Sequence, residues 1–486
     1  MGKMNRRKFL ANSCKACSAM AAGAAFSRLG MIDAFAQNVT PNTFQALVCV
    51  FLYGGNDANN MVIPIDTAGY NAYSSARGSA ITIPQAQILP LTFNGAVSGQ
   101  PYTQFGVHPA MPEVQALFAN KNLAFSVNTG TLVSPTTKNQ YTGKLVTLPS
   151  NLFSHSDQQN QWQTGSANSF STSGWAGRLA DIMVNDNPVP GSGTVPSIIS
   201  LSGAPIFGTG IQTQQMSVGT GTIVAANCGT GSSSNQCRTN EQIMLGLDSG
   251  AAMVAQASAV TSNAFNYANT LNTDLTGITL ATPTPAVANT LVPQLTQVAK
   301  ILKVRSSLNM KRQIFFVSMG GFDNHTSQGI FNPNLNLQTT KQDTTQPYLL
   351  QQLSQALNYF WNVLGELGIQ NQVTTFTCSD FSRTFKGNAG LGSDHAWGSH
   401  HMVMGGSAAQ GGALLGGQFY GTYPTLALGG PSDADTSNAS GRWIPTNSMA
   451  QYGAALASWF GVQNANLPTV FPEFPNFNNQ KLAFLG

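Results

Sequence analysis

The chain has 486 residues, of which 42% are hydrophobic and only 8% charged, which excludes a single small domain and predicts a folded protein with a sizeable core. The formal net charge of +4 arises at the N-terminus, because six of the 22 basic residues and one of the 18 acidic residues precede residue 37. The remaining chain, with 16 basic and 17 acidic residues and a net charge of −1, has no electrostatic basis for binding nucleic acid or an acidic membrane surface.

The first 36 residues have the order of features of an export signal. Arg6 and Arg7 lie in the segment Asn-Arg-Arg-Lys-Phe-Leu, an alanine-rich apolar stretch follows at 19–26, and Ala34-Phe35-Ala36 is a small-x-small cleavage site. An ordinary amphipathic helix is the alternative. We predict a twin-arginine signal peptide at 1–36, with the twin-arginine translocase as partner during export, and a periplasmic or extracellular mature chain of 37–486. No later segment has the ~18 uninterrupted apolar residues of a transmembrane span.

Apolar runs after the signal predict buried parallel strands. They occupy 46–53, 123–127, 197–201, 313–318 and 372–377. Helical patterns lie between them, notably at 111–118, at 350–364 and at 451–460 before Gly461. Strands that alternate with helices predict an α/β fold with a mostly parallel sheet.

Two stretches are interpreted as insertions. Residues 66–104 and 203–240 are rich in Gly, Ser, Thr and Gln, and 241–305 continues the second insertion as helix with a break at 282–285 (Thr-Pro-Thr-Pro). We predict one domain over 37–486 that carries insertions near 66–104 and 203–305.

The four cysteines after residue 36 are of two kinds. Cys228 and Cys237 flank a polar loop and are a disulfide candidate in an oxidising compartment. Cys49 and Cys378 lie in apolar strand-like runs and are predicted to be buried and inert.

Histidines and aspartates, which are scarce in this chain and can bind a metal ion or take part in catalysis, are concentrated in the loops after predicted strands. Open α/β sheets form their ligand-binding sites there. Asp57 follows the first strand in Gly-Gly-Asn-Asp, although this segment also suits a simple turn. Asp323 and His325 follow the strand at 313–318, and two such residues can reach one ion from a loop, since Zn²⁺ accepts N and O ligands at ~2.0–2.2 Å. A turn with a capping Asp is the alternative there.

The segment 393–401 is the richest, because it contains Asp394, His395, His400 and His401, three of the six histidines of the chain. Structural histidines remain the alternative. In the segment 153–159 (Phe-Ser-His-Ser-Asp-Gln-Gln), Ser154 or Ser156 can begin a helix and leave a hydroxyl near its positive end, although Ser there is also an ordinary N-cap. His108 stands alone and is interpreted as supporting or structural.

Together these segments resemble one family, the twin-arginine-exported proteins called domain of unknown function 1501 (DUF1501), whose members look like distant relatives of alkaline phosphatases and sulfatases. The matching segments are FLYGGND, FGVHPAMPEV, SHSDQQNQW, SGWAGRL, GGFDNHTSQ, SDFSRT, SDHAWGSHHMVMGG and SMAQYGAALASWFGV, between residues 51 and 462. Two segments depart from the family's usual Ser-Glu-Phe-Gly-Arg-Thr and Thr-Asp-His-Gly, at Asp380 and Ser382 and at Ser393 and Ala396, and these substitutions keep the charge or the small size of the side chain.

The resemblance implies an alkaline phosphatase-like α/β/α sandwich with one or two divalent ions at the strand ends. Zinc is the expected ion, with manganese, calcium or iron as alternatives. The implied metal ligands are Asp57, Asp394 and His395 for one ion, and Asp323 and His325 with His400 or His401 for the other. The resemblance also implies Ser154 as nucleophile and Arg383 or Arg178 as a group that holds an anionic oxygen.

The implied activity is metal-dependent hydrolysis of a phosphate or sulfate ester, carried by a small molecule or a glycan. A non-catalytic exported protein that keeps this fold for binding or assembly is the alternative. A metal-dependent oxidoreductase is disfavoured, because no G-x-G-x-x-G follows the first strand and the mature chain lacks a cysteine cluster suited to an iron–sulfur centre.

Overall fold

The computed structural model describes residues 44–79, 81–168, 171–187, 194–221, 223, 239–240, 243–245, 252–286, 289–329, 345–436 and 438–486. The signal peptide predicted at 1–36 and the disulfide predicted between Cys228 and Cys237 lie outside these described residues. Within the described ranges, no helix is both long enough and apolar enough to cross a bilayer.

The strands and helices alternate along much of the chain. The strands are β1 (Gln45–Leu52), β2 (Val62–Pro64), β3 (Leu89–Pro90), β4 (Phe105–Val107), β5 (Leu123–Gly130), β6 (Ile198–Ser200), β7 (Met216–Ser217), β8 (Arg312–Met319), β9 (Val373–Ser379), β10 (Ser399–Met404), β11 (Phe419–Tyr420) and β12 (Asn447–Ser448). The α-helices are α1 (Ala58–Met61), α2 (Thr67–Arg77), α3 (Pro112–Ala119), α4 (Lys138–Thr142), α5 (His155–Thr164), α6 (Trp175–Ile182), α7 (Ala252–Leu275), α8 (Leu291–Lys303), α9 (Gln346–Glu366), α10 (Met449–Phe460) and α11 (Leu467–Val470).

The central sheet has the strand order β11-β5-β10-β9-β1-β8-β6-β7, and β12 also pairs with β5. Strands β9, β1, β8, β6 and β7 are parallel to one another. Strand β10 is antiparallel to both of its neighbours, β5 and β9. The predicted α/β fold with a mostly parallel sheet is therefore confirmed. A smaller antiparallel sheet has the order β2-β4-β3.

Alternate residues of β1 enter two separate cores, which shows that helices cover both faces of the sheet. Val48 and Val50 pack in the core that contains α8 and α9. Cys49 and Phe51 pack in the core that contains α6 and α10. A strand that is buried on both faces has to be apolar along its whole length, which explains the uninterrupted run that predicted it.

Other features predicted from the sequence are also present in the structure. The apolar face predicted at 350–364 is the buried face of α9. Helix α10 ends at Gly461, whose φ of 119° is readily adopted by glycine. The prolines at 283 and 285 fall between α7 and α8, where the break was expected. Cys49 and Cys378 are buried and free, as predicted.

The strand register brings three loops to one edge of the sheet. Leu52, the last residue of β1, is paired with Met319 of β8 on one side and with Ser379 of β9 on the other. Because the three strands are parallel and end at the same level, the loops that begin at Tyr53, Gly320 and Asp380 leave the sheet side by side.

Candidate metal centre

Four side-chain atoms converge at this edge. The imidazole Nε2 atom of His395 lies 3.0 Å from His155 Nε2 and 2.8 Å from His325 Nε2. Asp323 Oδ1 lies 3.3 Å from His155 Nε2, 3.2 Å from His325 Nε2 and 3.6 Å from His395 Nε2. Ligand atoms about 2.0–2.1 Å from one ion are about 2.9–3.4 Å apart in octahedral or tetrahedral geometry, and these spacings of 2.8–3.6 Å lie in or within about 0.2 Å of that range.

The other ring nitrogen of each histidine is already committed. Nδ1 lies 2.6 Å from Asp380 Oδ2 in His155, 3.0 Å from Asp394 Oδ1 in His325, and 2.7 Å from the carbonyl oxygen of Phe153 in His395. These oxygens accept hydrogen bonds, so the neutral rings carry their protons on Nδ1 and present lone pairs at Nε2.

Three lone pairs that face each other at such distances repel unless a cation lies between them. A single shared proton does not resolve the conflict, because His395 Nε2 has one lone pair and two imidazole neighbours. His155, Asp323 and His395 form the group of described residues whose ligand atoms all lie within 4.8 Å of one another. The side chains therefore fit a divalent metal ion, with His325 beside the group.

Electrostatics keep the carboxylate of the centre charged. Partial burial acts to raise the pKa of Asp323, but the hydrogen bond and the positive charge of Arg383 lower it. The hydrogen bond to Asp380 raises the pKa of His155 above its ordinary value, and partial burial lowers that of His395. The ligand side chains are 26–49% exposed, so the centre is open to solvent.

Glycine makes the convergence of the loops possible. Gly54 has a φ of 109°, and a Cβ atom there would lie 2.5 Å from the backbone nitrogen of Asp323. Gly54 donates its N–H to Asp380 Oδ2 at 3.1 Å, and Gln159 Nε2 donates to the same oxygen at 2.9 Å. The Gly-Gly pair after β1 thus lets the β8 loop approach while it helps to fix the carboxylate that orients His155.

The structure places two of the predicted ligands, Asp323 and His395, in this group, and a third, His325, beside it. It places the predicted ligand Asp394 behind the ring of His325, where Asn388 Nδ2 also donates to Asp394 Oδ1 at 2.9 Å. His155 is the member of this group that the sequence analysis missed. It was visible as one of six histidines, but its segment was considered only for its serine hydroxyls.

Asp57 lies away from the centre, which corrects its predicted role as a ligand. Its carboxylate is buried in an ion pair with Arg77 of α2 and accepts a hydrogen bond from Gln328 Nε2 at 2.5 Å. It also caps α1 by accepting from the backbone N–H of Asn59 at 3.1 Å. The segment at 66–104, interpreted as an insertion, thus supplies the cation that neutralises Asp57.

We expect Arg77→Met to destabilise the protein by about 3–5 kcal/mol, because removal of one partner leaves a buried, unpaired charge. Urea unfolding followed by circular dichroism measures the change. The double variant Arg77→Met/Asp57→Asn, which removes both charges, should recover part of the loss. Stability within about 1 kcal/mol of wild type in Arg77→Met would show that the pair contributes little.

His400 and His401 also lie away from the centre, which corrects the predicted third ligand. Both are buried and belong to β10, a strand that the sequence analysis did not predict. His400 Nδ1 accepts from the backbone N–H of Asn128 at 3.0 Å, and the ring of His401 packs against Trp162 at 4.6 Å between centroids. Burial lowers the pKa of each to about 3, so both are neutral core residues at physiological pH.

The predicted nucleophile is engaged elsewhere. Ser154 precedes α5, as expected, but its hydroxyl donates to Asp157 Oδ2 at 2.5 Å and lies 3.2 Å from Ser156 Oγ. Within the described ranges, the hydrogen-bond partners of the Ser154 and Ser156 hydroxyls are Asp157 and each other. The helix therefore contributes His155 to the centre and turns its serines toward Asp157.

The two predicted anion-binding arginines are also committed. The guanidinium of Arg383 is buried and donates to Asp323 and to the backbone carbonyls of Gly54, Gly55, Phe322 and Ser393. Arg178 is buried as well and donates to the carbonyls of Thr164, Ser173 and Val470. Arg383 is thus a residue that positions Asp323, and Arg178 ties α6 to α11.

The fold and the site define an α/β protein with a solvent-open His/Asp centre at the carboxyl edge of a mostly parallel sheet. The chain belongs to the DUF1501 family: the family model described as "Protein of unknown function (DUF1501)" matches residues 45–429. The resemblance found in the sequence segments is thereby confirmed. A search of curated proteins gives no match.

Several solved structures are distantly similar. The crystal structure of Ps i-CgsB has a TM-score of 0.36 and 12% identity, with 90% of this chain and 77% of that chain covered. A protein in the alkaline phosphatase superfamily from Vibrio parahaemolyticus has a TM-score of 0.33 and 10% identity, with 87% and 67% covered. The lipoteichoic acid synthase LtaP from Listeria monocytogenes has a TM-score of 0.27 and 10% identity, with 73% and 62% covered. These likenesses are too distant to carry the activity of those proteins to this chain.

Proposed function

We propose that this protein is an exported, metal-dependent hydrolase of phosphate or sulfate esters, with its ion held by His155, Asp323, His325 and His395. The convergence of the ligand atoms of His155, Asp323 and His395, with His325 Nε2 2.8 Å from His395 Nε2, carries the proposal. The ester class follows the resemblance of the family's sequence segments to alkaline phosphatases and sulfatases. A centre that is open to solvent also suits a reaction in which water is the co-substrate.

Zinc is the ion that we propose, because three imidazoles and one carboxylate are borderline ligands that suit it, with iron as the next candidate. When bound, such an ion supplies Lewis acidity and a water of lowered pKa. The chain's own residues hold the geometry: Asp380, Asp394 and the Phe153 carbonyl fix the imidazole orientations. Arg383 fixes Asp323.

The nucleophile in this proposal is water, since the hydroxyl of Ser154 is bonded to Asp157. The same observation favours the second candidate function, a non-catalytic binding or assembly protein that keeps the metal centre. A serine nucleophile would have made a covalent intermediate possible, as in Ser-dependent ester hydrolysis. Without one, the centre has to work by activation of water or only bind a ligand.

Export through the twin-arginine pathway is part of the proposal and depends on residues 1–36. This pathway carries folded proteins, so the ion can be inserted before transport. We propose the translocase as partner in export, a small-molecule or glycan ester as substrate, and no nucleic-acid partner, in line with the net charge of −1 after residue 36.

The test is hydrolysis of p-nitrophenyl phosphate and p-nitrophenyl sulfate by the mature chain, loaded in turn with zinc, manganese and iron(II). We expect turnover of one ester, lost on chelation and restored by the ion. Ser154→Ala should retain that activity, whereas His155→Ala should lose it. A protein that binds the ion stoichiometrically yet hydrolyses neither ester would support the binding role instead.

A further inference from the structure

Arg442 contacts the backbone of His395 and was not singled out by the sequence analysis. Its Nε donates to the carbonyl oxygen of His395 at 2.8 Å, and its Nη1 donates to Asp435 Oδ1 at 2.8 Å. Its guanidinium carbon lies 5.0 Å from the centroid of the Phe153 ring. Because the Phe153 carbonyl accepts from His395 Nδ1, Arg442 and Phe153 hold the same ligand from two sides.

The guanidinium of Arg442 keeps a free edge. Among the described residues, no acceptor lies within hydrogen-bond distance of its Nη2 atom, and the side chain is 31% exposed. By contrast, the guanidinium of Arg383 is fully buried and committed to Asp323 and backbone carbonyls. Arg442 is therefore an arginine at the centre with donors available to a ligand in solvent.

Phe153 supports the assignment through its backbone. Its φ of 71° lies in the left-handed region, which a bulky aromatic residue rarely adopts. This conformation accompanies a Phe153 carbonyl directed at His395 Nδ1 and a Phe153 ring stacked against Arg442. Strained residues of this kind persist only where the surrounding structure holds them in place, and they concentrate at functional sites.

We propose that Arg442 is a substrate-positioning residue that receives an oxygen of a tetrahedral oxyanion, a phosphate or sulfate group, bound at the metal centre. This inference rests on the proposed function and adds the group that selects the anion. The planar guanidinium offers two parallel donors to such an oxyanion, and the stack on Phe153 fixes its plane. Nη2 provides the first of these donors. Nη1, which already donates to Asp435, provides the second.

The experiment is calorimetric titration of the zinc-loaded mature chain with inorganic phosphate and inorganic sulfate, with metal content measured on the same samples. We expect Arg442→Gln to weaken binding of the preferred anion by about tenfold or more, the typical effect of losing a charged hydrogen bond. Arg442→Lys, which keeps the charge but not the planar fork, should also bind more weakly. Metal content should stay at the wild-type level in both variants.

Asp435→Asn is the matched control, because it removes the carboxylate partner of Arg442 and leaves the guanidinium. It should bind the anion as tightly as wild type or more tightly, since Nη1 is released. If Arg442 only held the loop through Asp435, Arg442→Gln and Asp435→Asn would weaken binding alike, which would overturn the inference. Equal anion affinity in wild type and Arg442→Gln, or no anion binding by wild type, would overturn it too. Metal-free wild-type protein would instead show that the proposed function itself is wrong.

Discussion

We expect His395→Ala to abolish stoichiometric metal binding, the largest effect of any single substitution at the centre. His395 Nε2 lies within 3.6 Å of Asp323 Oδ1 and at 3.0 Å or less from the two other imidazoles, so its loss removes the ligand common to every close pair of histidines. The affinity loss should exceed the about 10–100-fold that loss of a residue behind a ligand causes. Elemental analysis after dialysis against zinc measures it.

A graded series tests the geometry of the centre. Asp380→Asn keeps the ligands but weakens the acceptor of His155 Nδ1, so we expect about 10–100-fold weaker zinc binding and not its loss. Ser154→Ala should bind zinc like wild type, because its hydroxyl contacts Asp157. The thermal stability that zinc adds, about 4 kcal/mol at an ion concentration of about 1,000 times Kd, should disappear only in His395→Ala. Wild-type zinc content in His395→Ala would refute the ligand assignment.

The sequence predicts the centre of this fold well because the physical signal there is strong. Strands β1, β8 and β9 are buried on both faces, so their apolar runs stand out in a chain that is otherwise rich in polar, uncharged residues. Strand β10 escapes notice because its first three residues are Ser399, His400 and His401, polar side chains that the core nevertheless accepts. Polar residues suggested a loop and a ligand set, whereas the backbone pairs with β5 and β9.

The site is predicted in part for a related reason. Loops that follow parallel strands meet at one edge, so Asp323 and His325 could be placed there by rule. Position alone does not tell which carboxylate meets a cation. Asp57 follows β1 closely, but Arg77 comes from a segment 20 residues later and neutralises it. His155 comes from the start of a helix and not from a strand end, so the rule for strand ends does not reach it.

A steep loss of stability between pH 6.5 and about pH 4 is the second large effect that we expect. Burial lowers the pKa of His108, His400 and His401 to about 3, below the ordinary value of 6.5. Below pH 6.5 the unfolded chain takes up three protons that the folded chain refuses until about pH 3. Their stabilisation is therefore complete above pH 6.5 and falls by up to about 4 kcal/mol per pH unit as the pH decreases, about 1.4 for each histidine.

Urea unfolding of the chelated protein at pH 8, 7, 6 and 5 measures this slope without the metal. Since a typical domain is stable by only about 5–15 kcal/mol, a slope of about 4 kcal/mol per pH unit should unfold the chain between about pH 5 and about pH 3. His400→Gln removes one of the three protonation steps, so the slope between pH 6.5 and pH 4 should fall by about a third, while these histidines give no slope above pH 6.5 in either protein. In the chelated protein, His155 and His395 of the metal centre change the stability with pH in opposite directions, because the pKa of His155 is raised by Asp380 and that of His395 is lowered by burial. A stability that is constant from pH 7 to pH 5 would mean that the core histidines are hydrated, and would return His400 and His401 to consideration as ligands.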